Sequence, residues 1–357
     1  MKIGIIGLPQ VGKKTLFGLL TGEPPASAHG TVQDIKIGSA RIRDSRFDRL
    51  VGMYRPRRSV PASIDVVLAA KFDKETVASG EFLKSLAKCD ALCHIVRAFS
   101  DGSVFHVDGS IDPLRDIENV YAELMLADLI LIEKRIERIA ADQKKGAASP
   151  AQTKEKDILD QMKKSLDGNI PLIHLQMNDE DRKLMSTYQF LTRKPVIIVL
   201  NVDDDKITDT ALAGRIEEKY GKHGVKVMQI SAKIELELSS LTPEEQETFL
   251  KDLNIKEPAL NRLSALCFDV LGLISFFTVG EDEVRAWTAR KGSPAPEAAG
   301  VIHTDLQRGF IRAEIIKSDE LFALGSEAKL KEAGRLMLKG KDYVVEDGDI
   351  MHVRFNV

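Results

Sequence analysis

A chain of 357 residues is too long for a single ordinary core and points to two or three domains. Its 43% apolar and 29% charged content is that of a globular protein, and a net charge of −3 excludes polyelectrolyte attraction to nucleic acid by the chain as a whole. Specific DNA recognition is not expected. Three cysteines, Cys89, Cys93 and Cys267, form no disulfide framework, and no further ligand stands at zinc-site spacing from the first two. With no signal-peptide pattern and no apolar run of about 18 residues, the expectation is a cytoplasmic protein without a membrane span.

The chain opens on an apolar strand, Lys2 to Ile6, that runs into Gly7-Leu8-Pro9-Gln10-Val11-Gly12-Lys13-Lys14-Thr15. This is the phosphate-loop pattern G-x-x-x-x-G-K-[ST], matched at both glycines and the lysine and broken at the last position. Gly7 and Gly12 let successive N–H groups curl around an anion, and the helix after them, through Leu16, Phe17, Leu19 and Leu20, adds the positive end of its dipole. Lys13 would lie between the β- and γ-phosphates. The last position, which supplies a hydroxyl to Mg²⁺, is Lys14. Thr15 stands one helical step, roughly 100°, away and does not replace it.

Further along, Gly22 to Gly30 is a Pro/Ala/Ser loop, Thr31 to Ile42 reads as a strand, and Arg46 to Met53 as a short helix. Ile64–Leu68, Asp90–Arg97, Pro195–Asn201 and Val225–Ile230 are apolar on both faces and alternate with helical stretches, which indicates a parallel α/β sheet. Between about Pro113 and Thr192, apolar residues recur at helical spacing through charged sequence, broken at Lys144–Pro150. That pattern predicts a projecting two-helix arm. From about Ile274, short strands and turns are expected at Val284–Thr288, Gly300–His303, Phe310–Ile316, Tyr343–Glu346 and Met351–Phe355. The predicted domains are 1–112 with 192–273, an arm at 113–191, and a separate α+β module at 274–357.

A GTPase-type site needs further elements in a fixed order. Thr31 stands where a switch threonine belongs, and Asp65 is the acid of the third strand, expected to hold a metal. Leu68 occupies the place of the switch glycine, and no glutamine follows to orient an attacking water. Asn201-Val202-Asp203-Asp204 matches the base motif N-K-x-D at its first and last residues, and Asp204 would accept the N1–H and exocyclic amine of guanine. Ser231-Ala232-Lys233 follows a strand where backbone N–H groups meet the base.

With these elements in order, the chain resembles the YchF family of Obg-like P-loop NTPases over almost its whole length. Its most specific matches are Arg97, His106-Val107, Asp112-Pro113, Asp116-Ile117-Glu118, and in the tail Glu283–Thr288, Ala298–Asp305, Gly309–Glu314 and Gly340–Val345. The resemblance implies a Ras-like P-loop domain with a helical coiled-coil insertion and a C-terminal TGS domain of ubiquitin-like β-grasp form. It implies binding and slow hydrolysis of ATP or GTP, and association with ribosomes or RNA. Carried over to this sequence, Gln10 to Thr15 form the phosphate loop, Thr31 and Asp65 the metal side, and Asn201, Val202, Ser231 and Ala232 the base contacts. The family's metal-ligating serine is replaced by Lys14, its glycine-rich switch by Val66–Phe72, and the glutamate common at the end of its base motif by Asp204. Two readings follow: a nucleotide-dependent switch with very slow hydrolysis, or a pseudo-NTPase that docks on a ribosome or protein partner without turnover. Were turnover retained, His94, Lys71 and Arg97 are the first residues from which a replacement group would come.

Overall fold

The structure, a computed structural model, describes residues 1–23, 35–69, 80–145, 149–221 and 224–356. In chain order the first half contains β1 (Lys2–Ile6), α1 (Lys13–Thr21), β2 (Lys36–Arg41), α2 (Ser45–Tyr54), β3 (Arg58–Val60), β4 (Ser63–Leu68), α3 (Glu81–Ala87) and β5 (Ala91–Ala98). There follow α4 (Pro113–Lys144), α5 (Pro150–Asp167), α6 (Asp179–Leu184), β6 (Val196–Val202), α7 (Ala211–Tyr220), β7 (Lys226–Ile230), α8 (Ala232–Ser239), α9 (Pro243–Asp252) and α10 (Ala259–Val270). Internal contacts divide the chain into Met1–Gly38 with Asp65–Leu260, and Ser39–Ile64 with Asn261–Val357. The excursion 39–64 thus groups with the C-terminal residues, whereas the sequence pattern had placed it with the first domain.

The first unit is built on a parallel sheet in the order β2-β4-β1-β5-β6-β7, with β2 and β4 carrying the chain out to the excursion and back. Strands β5 and β6 are almost wholly buried, as their unbroken apolar runs require. Three buried residues there are polar, His94, Arg97 and Asn201. His94 pairs in register with Ile6 and Ile198, is fully buried, and has no hydrogen-bond partner at either ring nitrogen among the described residues. Burial, with the Lys13 ammonium adding to it, pushes its pKa down to about 3.

Helix α4 begins at Pro113 behind the N-cap Asp112 and runs 32 residues, about 48 Å. Helix α5 returns from Ser149, whose side chain and that of Gln152 form a reciprocal capping box. Between them Ile132, Ile139, Ile158, Leu159 and Met162 form an apolar seam. A polar clasp crosses it: Arg135 donates to both oxygens of Glu155 at 2.7 and 2.8 Å, and Tyr188 donates to the same carboxylate. The Arg135 hydrogen bonds hold Glu155 below the usual carboxylate range, against its burial. At the root of the arm, Asp128 accepts from the backbone N–H groups of Leu191 and Thr192, both at 2.8 Å, and from the Thr192 hydroxyl at 2.6 Å.

The second unit contains β8 (Leu273–Thr278), β9 (Glu283–Arg290), α11 (Ala295–Ile302), α12 (Thr304–Arg308), β10 (Phe310–Lys317), α13 (Ser318–Leu324), α14 (Glu327–Glu332), β11 (Met337–Lys339) and β12 (Asp349–Phe355). Its sheet runs β11-β10-β12-β8-β9-β3, so the outermost strand beside β9 comes from the excursion. One core joins Ala295, Ala298 and Ala299 of α11 to Phe276, Ala313, Ile315 and Met351 of the sheet. Two strand expectations are corrected here. Gly300–His303 lies mostly in α11, because Ala295, Ala298, Ala299 and Ile302 recur at helical spacing onto that core. Tyr343–Glu346 is not a strand; Val344 makes only an isolated bridge to Pro294.

Two outcomes follow. Arg135→Met should destabilise the protein by about 2 kcal/mol in urea unfolding, less than for a fully buried pair because Arg135 is 29% exposed, since Glu155 keeps its charge without a partner. Adding Glu155→Leu should restore more than half of the loss; no recovery would show that the clasp acts through packing alone. The second concerns acid. Between the ordinary histidine value of 6.5 and about 3, the unfolded chain binds a proton that folded His94 does not. Stability therefore decreases as the pH is lowered through that window, and His94→Leu should flatten the slope by up to about 1.4 kcal/mol per pH unit, read from unfolding at pH 7, 5 and 4. An unchanged slope would assign the acid sensitivity to other groups.

Candidate functional site

At the end of β1 the backbone turns through three left-handed residues, Gly7 (φ 141°), Gln10 (φ 60°) and Gly12 (φ 102°). Two of them have no room for a side chain. A Cβ at Gly7 would lie 2.3 Å from the Ile95 carbonyl, and one at Gly12 would lie 2.6 Å from Nδ2 of Asn201. The loop delivers the chain into α1, which has Gly12 as N-cap, no side-chain cap and no acidic residue in its first turn. The positive end of its dipole therefore faces the loop, where an anion would be favoured. Lys13 folds over the loop and donates to the carbonyls of Gly7 at 2.8 Å and Leu8 at 2.5 Å.

The base-side loops leave the neighbouring parallel strands at the same sheet edge. Asn201, 6% exposed near the end of β6, donates from Nδ2 to the Val11 carbonyl and accepts at Oδ1 from Ala232 N–H, both at 3.0 Å. One buried carboxamide thus ties the phosphate loop to the loop after β7. Val202, also buried, ends β6 in register with Ala98. Ser231 caps α8 by accepting from Ile234 N–H at 3.2 Å and donates its hydroxyl proton to Oδ1 of Asp204. Lys233 pairs with Oδ2 of Asp204 at 2.7 Å. Burial acts to raise the pKa of Asp204, but the Lys233 and Ser231 hydrogen bonds outweigh it and leave the carboxyl below its ordinary value.

Gly7, Gln10, Val11, Gly12 and Lys13 thus come together with Asn201, Val202, Asp204, Ser231, Ala232 and Lys233. Lys14, which is exposed, and Thr15 continue the first turn of α1. The metal-side reading fares differently. Thr31 lies outside the described residues, as do 70–79, which include Lys71. Asp65 requires a correction. It pairs with Lys2 at the start of β1, while Leu68 pairs with Ile5. Five residues of extended chain separate Lys2 from Gly7, which puts Asp65 about 16 Å from the phosphate loop, at the wrong end of a parallel sheet. Leu68 and Ala69 stand at the phosphate end instead.

Arg97 is also accounted for. Its guanidinium donates to the carbonyls of Phe99, Asp101 and Val104 at 3.1–3.2 Å and lies 4.5 Å from the Phe99 ring centroid, so its donors are spent on shaping the loop after β5. Two residues that position this region were not singled out as site residues from sequence. Asp203 accepts the Ser100 N–H at both oxygens, 3.0 and 3.1 Å, which locks the β5 and β6 loops together. His106 is buried with Nε2 3.0 Å from Asp116, and its Nδ1 accepts from Asp108 N–H at 3.2 Å; the proton is therefore assigned to Nε2. A carboxylate at the third position of the base motif and a His–Asp pair around the Asp112–Pro113 helix start are the signals that mark them.

Comparison with known proteins agrees with this geometry. Residues 273–356 match the family model YchF-GTPase_C, described as a protein of unknown function. The ribosome-binding ATPase YchF of Bacillus subtilis is 40% identical over 370 residues, covering 99% of each chain. Obg-like ATPase 1 of Gallus gallus is 36% identical, over all of this chain and 92% of that protein. The structure of the YchF GTPase of Schizosaccharomyces pombe superposes with a TM-score of 0.85 at 31% identity, covering 99% of this chain and 97% of that one. Identity at this level across the full length, with the phosphate loop and base-side loops assembled as described, makes the chain a member of the YchF family.

Proposed function

We propose that this chain binds a purine nucleoside phosphate, ATP or GTP, on the phosphate loop and the loops after β6 and β7, hydrolyses it very slowly or not at all, and associates with the ribosome according to the nucleotide bound. The observation that carries the reading is the pair of hydrogen bonds made by the Asn201 carboxamide, to Val11 and Ala232, which holds phosphate and base sides in one register. The names of the B. subtilis and chicken relatives, a ribosome-binding ATPase and an Obg-like ATPase, support both halves of it. In this reading the arm, 113–191, and the C-terminal module are the parts that meet the ribosome.

A Mg²⁺ ion beside the phosphates calls for a hydroxyl at the second position of α1 and a carboxylate where β4 meets the phosphate loop. The described residues offer Lys14, Leu68 and Ala69 there and do not fit it. Lys13, at the loop, and Lys14, next to it in the helix, are the cations available to offset phosphate charge. In-line hydrolysis also needs a placed water and charge compensation as the bond breaks. Burial holds His94 neutral at physiological pH and Arg97 is committed to carbonyls, so neither takes over those roles. This favours binding without appreciable turnover by the protein alone.

Titration of the purified protein with ATP and GTP should show affinities that differ by less than about tenfold between excess Mg²⁺ and EDTA, a shift under 1.4 kcal/mol. Phosphate release should proceed at or below about 10⁻⁴ s⁻¹. Strong Mg²⁺ dependence, or several turnovers per minute, would refute this reading of the metal side. Asn201→Ala should weaken nucleotide binding about tenfold or more, since it leaves the Val11 carbonyl and Ala232 N–H without their partner. Unaltered affinity in a folded variant would remove the central support for the site.

A further inference from the structure

We propose that the cavity at the root of the arm is a second ligand site, one that takes a small uncharged aromatic molecule whose polar atom pairs with the hydroxyl of Tyr121. The cavity measures about 430 Å³, within the range of small-ligand pockets. Its buried floor is apolar, from Leu124 of α4, Leu191, Val196 at the start of β6 and Val225 just before β7. Those strand starts lie at the amino edge of the parallel sheet, whereas Asn201 stands near its carboxyl edge, five residues or about 16 Å along β6 from Val196. The cavity is therefore separate from the nucleotide site proposed above and does not depend on it.

One wall is aromatic: Tyr121 of α4 stacks on Tyr220 at the end of α7, with ring centroids 5.8 Å apart and planes inclined by 21°. Met125, on the same helix face as Tyr121, adds a polarisable thioether. A flat ring is the shape that such a wall receives best. The Tyr121 hydroxyl is buried and has no hydrogen-bond partner among the described residues, which leaves its donor and acceptor capacity for a ligand. Burial pushes its pKa up, so it keeps the proton it would donate. Other polar groups bordering the cavity are already engaged. Lys219 pairs with Glu118 at the rim, Lys194 donates to the carbonyls of Ala87 and Cys89, and the Thr192 hydroxyl is given to Asp128. An ionised ligand would lose its water without gaining a counter-charge from these groups, so the cavity favours a neutral one.

The test sets quinoline, whose ring nitrogen is an acceptor and which is neutral at pH 7, against naphthalene, its isostere without the nitrogen, on the full-length protein. Ligand-observed NMR titration should give quinoline a Kd of about 1 mM or below. Naphthalene should bind about fivefold more weakly, the share of one hydrogen bond. Quinoline should slow amide exchange at 118–125, 169–174 and 191–196. Slowing at 7–15 or 201–204 instead would put it in the nucleotide site and overturn the proposal. Tyr121→Phe should bring quinoline down to the level of naphthalene. Ala122→Trp, at an exposed position on the edge of the cavity, should weaken both at least tenfold. An absence of saturable quinoline binding, equal affinity for the two probes, or binding unchanged by Ala122→Trp would each overturn it. The exchange and probe comparisons use the unmodified protein, so they decide the matter even if a variant fails to fold.

Discussion

The carboxamide of Asn201 is the interaction on which the rest of the site depends. A buried amide has to satisfy both ends, and this one does so with backbone from two different loops, Val11 on one side and Ala232 on the other. The demand propagates. Gly12 is required because any Cβ there would press on Nδ2, and the left-handed turn at Gly12 then launches α1 with its first N–H groups uncapped. Asp203 reinforces the arrangement from the loop after β6 by taking the Ser100 N–H, so the ends of four adjacent strands, β1, β5, β6 and β7, are tied together.

The parallel sheet explains why those ends meet. All its loops on one edge follow the carboxyl ends of strands, which is where crevices for ligands form. The same rule makes Asp65 unsuitable for phosphate chemistry despite its place in the right strand. Register, and not residue type, decides which end of a strand a side chain serves. Among the described residues the phosphate edge carries backbone N–H groups and lysines, with a histidine behind them held neutral by burial and by Lys13. Neutral His94 adds no positive charge under the loop, so in the proposed nucleotide site it lends the phosphates no charge.

Much of this was legible in the sequence. Glycines at 7 and 12 ahead of Lys13 announce the loop because few other backbones tolerate those dihedrals, and unbroken apolar runs announce buried parallel strands. The arm was legible from helical spacing and from Pro113 and Ser149–Pro150 at its turns. The misplacement of Asp65 has a physical origin: a six-residue apolar strand looks the same whichever of its residues faces the loop, and only pairing with β1 sets the register. Gly300–His303 was misread because a short run of small apolar residues carries no strong period until Ala295–Ala299 are counted with it.

Least legible was the fate of residues 39–64, several of whose partners lie more than 200 positions away. Arg46 donates to Asp44 and to Asp347 at 2.8 Å and lies over the Phe277 ring, while Tyr54 donates to Glu327 and Arg49 reaches the Phe322 carbonyl. Gly348 fits beneath Arg46 because a Cβ there would stand 2.8 Å from its Nη1. Strand β3 meanwhile pairs with β9 through Arg58, Ser59 and Val60, closing a sheet edge that would otherwise present open N–H and C=O groups. The C-terminal sheet is therefore completed by an excursion that leaves the chain between β2 and β4. A segment cut at residue 273 would carry the β-grasp strands but lack β3, and would leave the Phe277 ring without Arg46. The compact unit, Ser39–Ile64 with Asn261–Val357, is larger than the contiguous stretch 273–356 that the family model matches.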